Sequence, residues 1–102
     1  MNRKEPLGST MDMMTETREL VIKNRLGLHA RAAAKLVQAV ESYQAEICLV
    51  KDGGKADARS LLSLISLGCA EGSRVTVVAE GADALSAVLA VESLFEEHFG
   101  EE

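Results

Sequence analysis

Hydrophobic and polar positions change period several times along the chain, and each change marks an element. Across residues 17–23, Leu20 and Ile22 alternate with Glu19 and Lys23 in a stretch rich in β-formers, which predicts a strand with one buried face. Residues 24–29 break the alternation and read as a loop. Beyond them Ala30, Ala33, Ala34, Val37 and Val40 recur at helical spacing to about residue 42, an amphipathic helix of strong intrinsic propensity. Alternation returns over residues 45–51, where Ile47 and Leu49 oppose Glu46, Cys48 and Val50. Asp52-Gly53 tolerates positive φ in a hairpin turn, so a short third strand is expected at 55–58. Residues 60–67 predict a short helix apolar on nearly every side, with Gly68 placed to end it. Within it, Leu61 and Leu64 are expected to face the core and Leu62 and Ile65 to lie partly outside, although composition alone equally allows all four to be buried. Val75 and Val77 alternate with Thr76 and Val78 in a fourth strand at 74–80, and Leu85, Val88, Leu89, Glu92 and Phe95 follow a helical repeat whose apolar members predict a core-facing stripe.

The order β-α-β-β-α-β-α predicts an α+β fold: an open-faced sandwich in which a four-stranded, mostly antiparallel sheet carries three helices on one face. Residues 1–16 show no sustained periodicity and include Pro6, Gly8, Ser9, Thr10 and several methionines. They read as a flexible N-terminal extension to a single domain at 17–102. A length of 102 residues suits one domain with a modest core.

Composition narrows the function. No apolar run approaches the roughly 20 residues a bilayer crossing needs, and the N-terminus lacks a signal peptide's continuous apolar block, so a cytoplasmic protein without direct membrane insertion is expected. A net charge of −5 and 3% aromatic residues argue against a nucleic-acid partner, which demands a basic surface and often stacking platforms. Cys48 and Cys69 form neither a disulfide framework nor a metal-spaced pair and are expected as buried free thiols; no metal or cofactor is implied. The overall charge hides an asymmetry. Arg18, Lys23, Arg25, Arg31 and Lys35 cluster early with Glu19 as the only acid among them, whereas Glu92, Glu96, Glu97, Glu101 and Glu102 crowd the far end. The basic segment fits either a local anion site or a solvated surface.

Candidate chemistry concentrates at Gly27-Leu28-His29-Ala30-Arg31. His29 falls where Ser, Thr, Asp or Asn would ordinarily cap a helix. A helix start presents unpaired N–H groups and a partial positive charge, each favouring an anion by roughly 0.3–1 kcal/mol. Arg31 adds a permanently charged fork suited to phosphate oxygens. Neutral imidazole keeps one unprotonated nitrogen near physiological pH and can attack phosphorus. Gly27 and the small residues Ala30, Ala32, Ala33 and Ala34 leave room for a partner's active site. Taken alone, His-X-Arg is unspecific and describes an exposed capping residue followed by a solvated first-turn cation. Ser60 is a plausible N-cap of the short helix, and His98 reads as a surface histidine favoured by a helix C-terminus.

Gly27-Leu28-His29-Ala30-Arg31, followed by Ala33-Ala34-Lys35-Leu36-Val37, resembles the active-site signature of the histidine-containing phosphocarrier (HPr) family of the phosphoenolpyruvate-dependent sugar phosphotransferase system. The run from Ala58-Arg59-Ser60 through Leu67-Gly68 resembles that family's regulatory serine segment, and Val75-Thr76-Val77 with Glu80-Gly81-Ala82 provides a third match. The resemblance spans roughly residues 17–99. It implies a β-α-β-β-α-β-α sandwich and a relay that catalyses no turnover alone. Enzyme I would phosphorylate His29 on Nδ1, Arg31 would help hold the phosphoryl group, and His29 would pass it to IIA domains. It further implies regulation at Ser60 by an HPr kinase, accommodated electrostatically at a helix start, and docking of partners on Leu62 and Ile65. The chain is expected as a monomer. One departure stands out: family members often carry proline after the arginine, where this chain has Ala32, a strong helix former that suits the same turn. A nitrogen-type or regulatory paralogue working mainly as an adaptor is the alternative; a small phosphatase on a related sandwich lacks an evident set of active-site partners.

Overall fold

The computed structural model describes residues 14–101 of the chain. Four strands and three helices form in the expected order: β1 (Thr15–Val21), α1 (Ala30–Val40), β2 (Glu46–Lys51), β3 (Gly54–Asp57), α2 (Leu61–Ser66), β4 (Arg74–Glu80) and α3 (Ala84–Glu96), with a 3₁₀ turn at His98–Gly100. The sheet order is β1-β4-β2-β3, and every pairing is antiparallel, which sharpens the "mostly antiparallel" expectation. β1 begins two residues ahead of the boundary read from the sequence, because Thr15 and Glu16 pair with Glu80 and Ala79. Of the supposed extension, residues 1–13 lie outside the described residues.

Alternation decides which sheet face is covered. Leu20, Ile47, Leu49, Ala56, Val75, Val77 and Ala79 are buried, while Cys48, Val50, Thr76 and Val78 point to the open face and stay half-buried. Cys48 therefore departs from the expected buried thiol, whereas Cys69 is buried; both are free. Asp52 and Gly53 take φ of 50° and 82° in the β2–β3 turn, the left-handed geometry a two-residue hairpin needs.

Three helical stripes are rotated from expectation. In α1, Ala32, Ala33, Leu36 and Val40 are buried and Ala30 is exposed. Ala33 and Val40 keep their expected places, while Ala32 and Leu36 rather than Ala30, Ala34 and Val37 complete the buried stripe. In α3 the buried set is Ala84, Ala87, Val88, Val91 and Phe95, and Leu85 and Leu89 are 44% and 47% exposed. The small alanines let this helix approach the sheet closely, so the larger leucines flank the contact. In α2 only Leu64 is buried; Leu61 is 40% exposed, contrary to its assignment to the core, and Leu62 and Ile65 lie outside as expected. A six-residue helix has too little length to bury a second face.

Candidate functional site

Local sequence explains how residue 29 reaches its position. Gly27 adopts φ +69°, and a Cβ there would sit 2.5 Å from the Cys69 carbonyl oxygen. Only glycine lets the loop lie this close, and the Leu28 N–H then donates to that same carbonyl at 2.8 Å. His29 follows in extended conformation as the N-cap of α1, with its carbonyl accepting from Ala33 N–H at 2.8 Å. Its Nδ1 accepts from the Arg31 backbone N–H at 3.3 Å, the role a Ser or Asp oxygen ordinarily plays.

The other ring nitrogen meets a residue the sequence gave no reason to single out. Nε2 lies 2.8 and 3.0 Å from the two carboxylate oxygens of Glu101, 72 positions along the chain. Asn24, fully buried, donates through Nδ2 to Glu101 Oε1 at 3.1 Å and to the Gly27 carbonyl at 2.7 Å. Both contacts are acceptors, which fixes the orientation of the amide. The Glu101 side chain is 11% exposed and that of His29 25%. The hydrogen bond from His29, then that from Asn24 and the positive charges of His29 and Arg31, hold the Glu101 carboxyl below the ordinary glutamate value against the opposing effect of burial.

Glu101 is brought there by the 3₁₀ turn. His98, Phe99 and Gly100 take φ of 58°, 54° and 74° in succession, a left-handed path that costs roughly 1–2 kcal/mol per non-glycine residue. Burial of Phe99, its ring centroid 5.0 Å from that of Phe95, and the 2.7 Å bond from Lys35 Nζ to the Phe99 carbonyl hold the path in place. His98 is half-buried inside this turn and makes no part of the site.

Arg31 is exposed and, with Arg25, Leu26, Gly100 and Glu101, lines a shallow cavity of about 290 Å³. The remaining cations of the early basic cluster are elsewhere: Arg18 pairs with Glu16 and Glu92, Lys23 with Glu96 at 2.6 Å, and Lys35 with the Phe99 carbonyl. The basic segment therefore does not converge on one anion; much of the sequence's charge asymmetry is neutralised by folding its two ends together. Ser60 caps α2, accepting from Ser63 N–H at 3.2 Å and donating to Ser63 Oγ at 3.0 Å. Leu62 is 76% exposed on the same helix as Ile65. Among the described residues no group of acids, histidines and cysteines could hold a metal, and no helix is long and apolar enough to cross a membrane.

An open-faced antiparallel α+β sandwich whose first helix is capped by a partly exposed imidazole defines a class of small domains with a reachable nucleophile at a helix start, where an anion is favoured. Comparison with known proteins makes the class specific. The family model described as "PTS HPr component phosphorylation site" matches residues 16–97. The chain is 38% identical over 84 residues to the phosphocarrier protein HPr of Xylella fastidiosa, covering 82% of this chain and 94% of that one. It is 39% identical over 90 residues to the phosphocarrier protein NPr of Proteus mirabilis, covering 87% and 100%. A crystal structure of HPr from Thermoanaerobacter tengcongensis superposes with a TM-score of 0.82 at 40% identity, covering 85% of this chain and 98% of that one. The chain belongs to the HPr family of phosphotransferase-system phosphocarriers, non-catalytic proteins that relay a phosphoryl group through phosphohistidine.

Proposed function

We propose that His29 is the phosphoryl acceptor, that enzyme I is the donor and that IIA domains are the recipients. The observation that carries this reading is the seat of the ring: a solvent-reachable imidazole at the N-cap of α1, with Nδ1 turned toward the Arg31 backbone N–H. The 3.3 Å bond on Nδ1 is long and readily given up. As the Nδ1–P bond forms, the bond between phosphorus and the donor breaks and its electron pair returns to the donor. Phosphoryl oxygens then accept from the freed Arg31 N–H and the Arg31 guanidinium. Incubation with phosphoenolpyruvate and enzyme I is expected to add one acid-labile phosphoryl group to the wild type and none to His29→Ala; undiminished labelling of that variant would refute the assignment. Arg31→Ala is expected to slow the transfer roughly 10–100-fold, the loss of one charge-assisted bond pair.

Exposed Leu62 and Ile65 support a docking role for α2 beside the site. Ser60 is read as a second, regulatory phosphorylation site for an HPr kinase; its modification gives up the bond that Ser60 Oγ donates to Ser63 Oγ, while the Ser63 N–H can still donate to oxygen of the modified residue. An acid-stable mark from ATP and that kinase, lost in Ser60→Ala, is the expected result. The protein is read as a cytoplasmic monomer. A nitrogen-type relay is the second reading, favoured by the match across the full length of an NPr relative; a faster transfer to a nitrogen-type than to a sugar-type IIA domain would select it.

A further inference from the structure

We infer that Glu101 is a positioning residue for the phosphotransfer, holding the His29 ring as the Nε2–H form so that its lone pair lies on Nδ1. The inference rests on the reading of His29 as acceptor and deepens it. A backbone N–H can only donate, so the nitrogen it meets, Nδ1, carries no proton in the neutral ring. A carboxylate can only accept, so the nitrogen at 2.8 Å from Glu101 carries the proton. The two contacts agree, and together they assign the nucleophilic nitrogen from opposite sides of the ring.

The carboxylate is itself set in place. Asn24 binds it from beneath while gripping the Gly27 carbonyl, so the loop before His29 and the segment after the 3₁₀ turn share one buried amide. The charged group in contact with the ring is Glu101 from that segment; Arg31 from α1 and Arg25 from the preceding loop line a shallow cavity together with Glu101.

Charge balance gives the arrangement its function. When Nδ1 attacks phosphorus and the donor's bond to phosphorus breaks, the proton stays on Nε2 and the ring gains a positive charge. Glu101 faces that charge. On the return step the Nδ1–P bond breaks, its electron pair goes back to Nδ1, and the neutral Nε2–H ring is restored with no proton exchanged with water. The carboxylate thus acts through the imidazole, with no contact to the phosphoryl group required of it.

The test uses the full chain as wild type, Glu101→Ala and Glu101→Gln. Ring ¹⁵N shifts of the neutral wild type should show an acceptor-type Nδ1 and a donor-type Nε2 whose proton is protected from exchange with water. In Glu101→Ala that protection is lost, and the kcat of enzyme I for the variant as acceptor falls on the order of tenfold while its KM stays unchanged. Glu101→Gln, which keeps an acceptor oxygen without the charge, should fall between the two. A wild-type ring protonated on Nδ1, or a Glu101→Ala kcat within twofold of wild type, would overturn the inference. Failure of the acceptor assignment is distinguishable, because it shows as labelling of His29→Ala and leaves the ring spectra as described.

Discussion

Single residues in this domain are chosen by what their atoms must meet. Gly27 is the clearest case: a methyl group there would enter the Cys69 carbonyl, and the residue would have to hold positive φ. Gly27→Ala is expected to cost on the order of 1–3 kcal/mol, read as a fall in the urea midpoint, and to displace His29 by disturbing the Leu28–Cys69 bond. Glu101 makes a pH-dependent contribution. Its carboxyl titrates below the ordinary glutamate value of 4.5 in the folded chain, chiefly because of His29. A depressed carboxylate stabilises the fold fully above its unfolded value, and that stabilisation disappears as pH falls through the folded value. The stability gap between wild type and Glu101→Gln should accordingly narrow in acid, as pH falls below 4.5 through the lowered value of the folded carboxyl; a gap that widens on acidification would contradict the assignment.

At the scale of elements, period and capping govern what forms, while neighbours govern which side is buried. The strands were legible because alternation is a backbone property that one covered face preserves; β4 occupies the expected residues, and β1, β2 and β3 are offset by one or two positions. The helices were legible in place and less so in rotation. Leu85 and Leu89 look like core residues by size, yet Ala84, Ala87 and Val91 make the contact, because a helix lying close on a sheet needs small side chains between them. Ser60 is a cap whose identity sequence logic supplied, and Ser60→Ala should lower stability by about 1 kcal/mol in thermal or urea unfolding. Leu62, by contrast, is so exposed that Leu62→Ser should leave the urea midpoint nearly unchanged. If α2 docks partners as proposed, the same variant weakens binding to enzyme I, measurable by titration calorimetry.

Across the whole molecule, the far end of the chain is folded onto its early segments. Lys23 meets Glu96, Arg18 meets Glu92, Lys35 meets the Phe99 carbonyl and His29 meets Glu101. Phe99 anchors this closure. Phe99→Ala should cost about 3–5 kcal/mol as a buried aromatic truncation and also release Glu101, so its phosphotransfer defect should exceed that of other core truncations of similar ΔΔG away from the turn, such as Val77→Ala. Equal defects at equal stability would show that the turn does no more than hold the fold together.

By itself the sequence determined the order of elements, the hairpin turn, the cap of α2 and the helix start that carries His29. All of these arise from interactions within a few residues, where spacing and residue type carry the signal. Tertiary structure alone decided what stands on the second nitrogen of that histidine, which cations remain free near it and which leucines face outward. Those outcomes depend on partners some 70 positions apart, for which neither periodicity nor propensity holds any record.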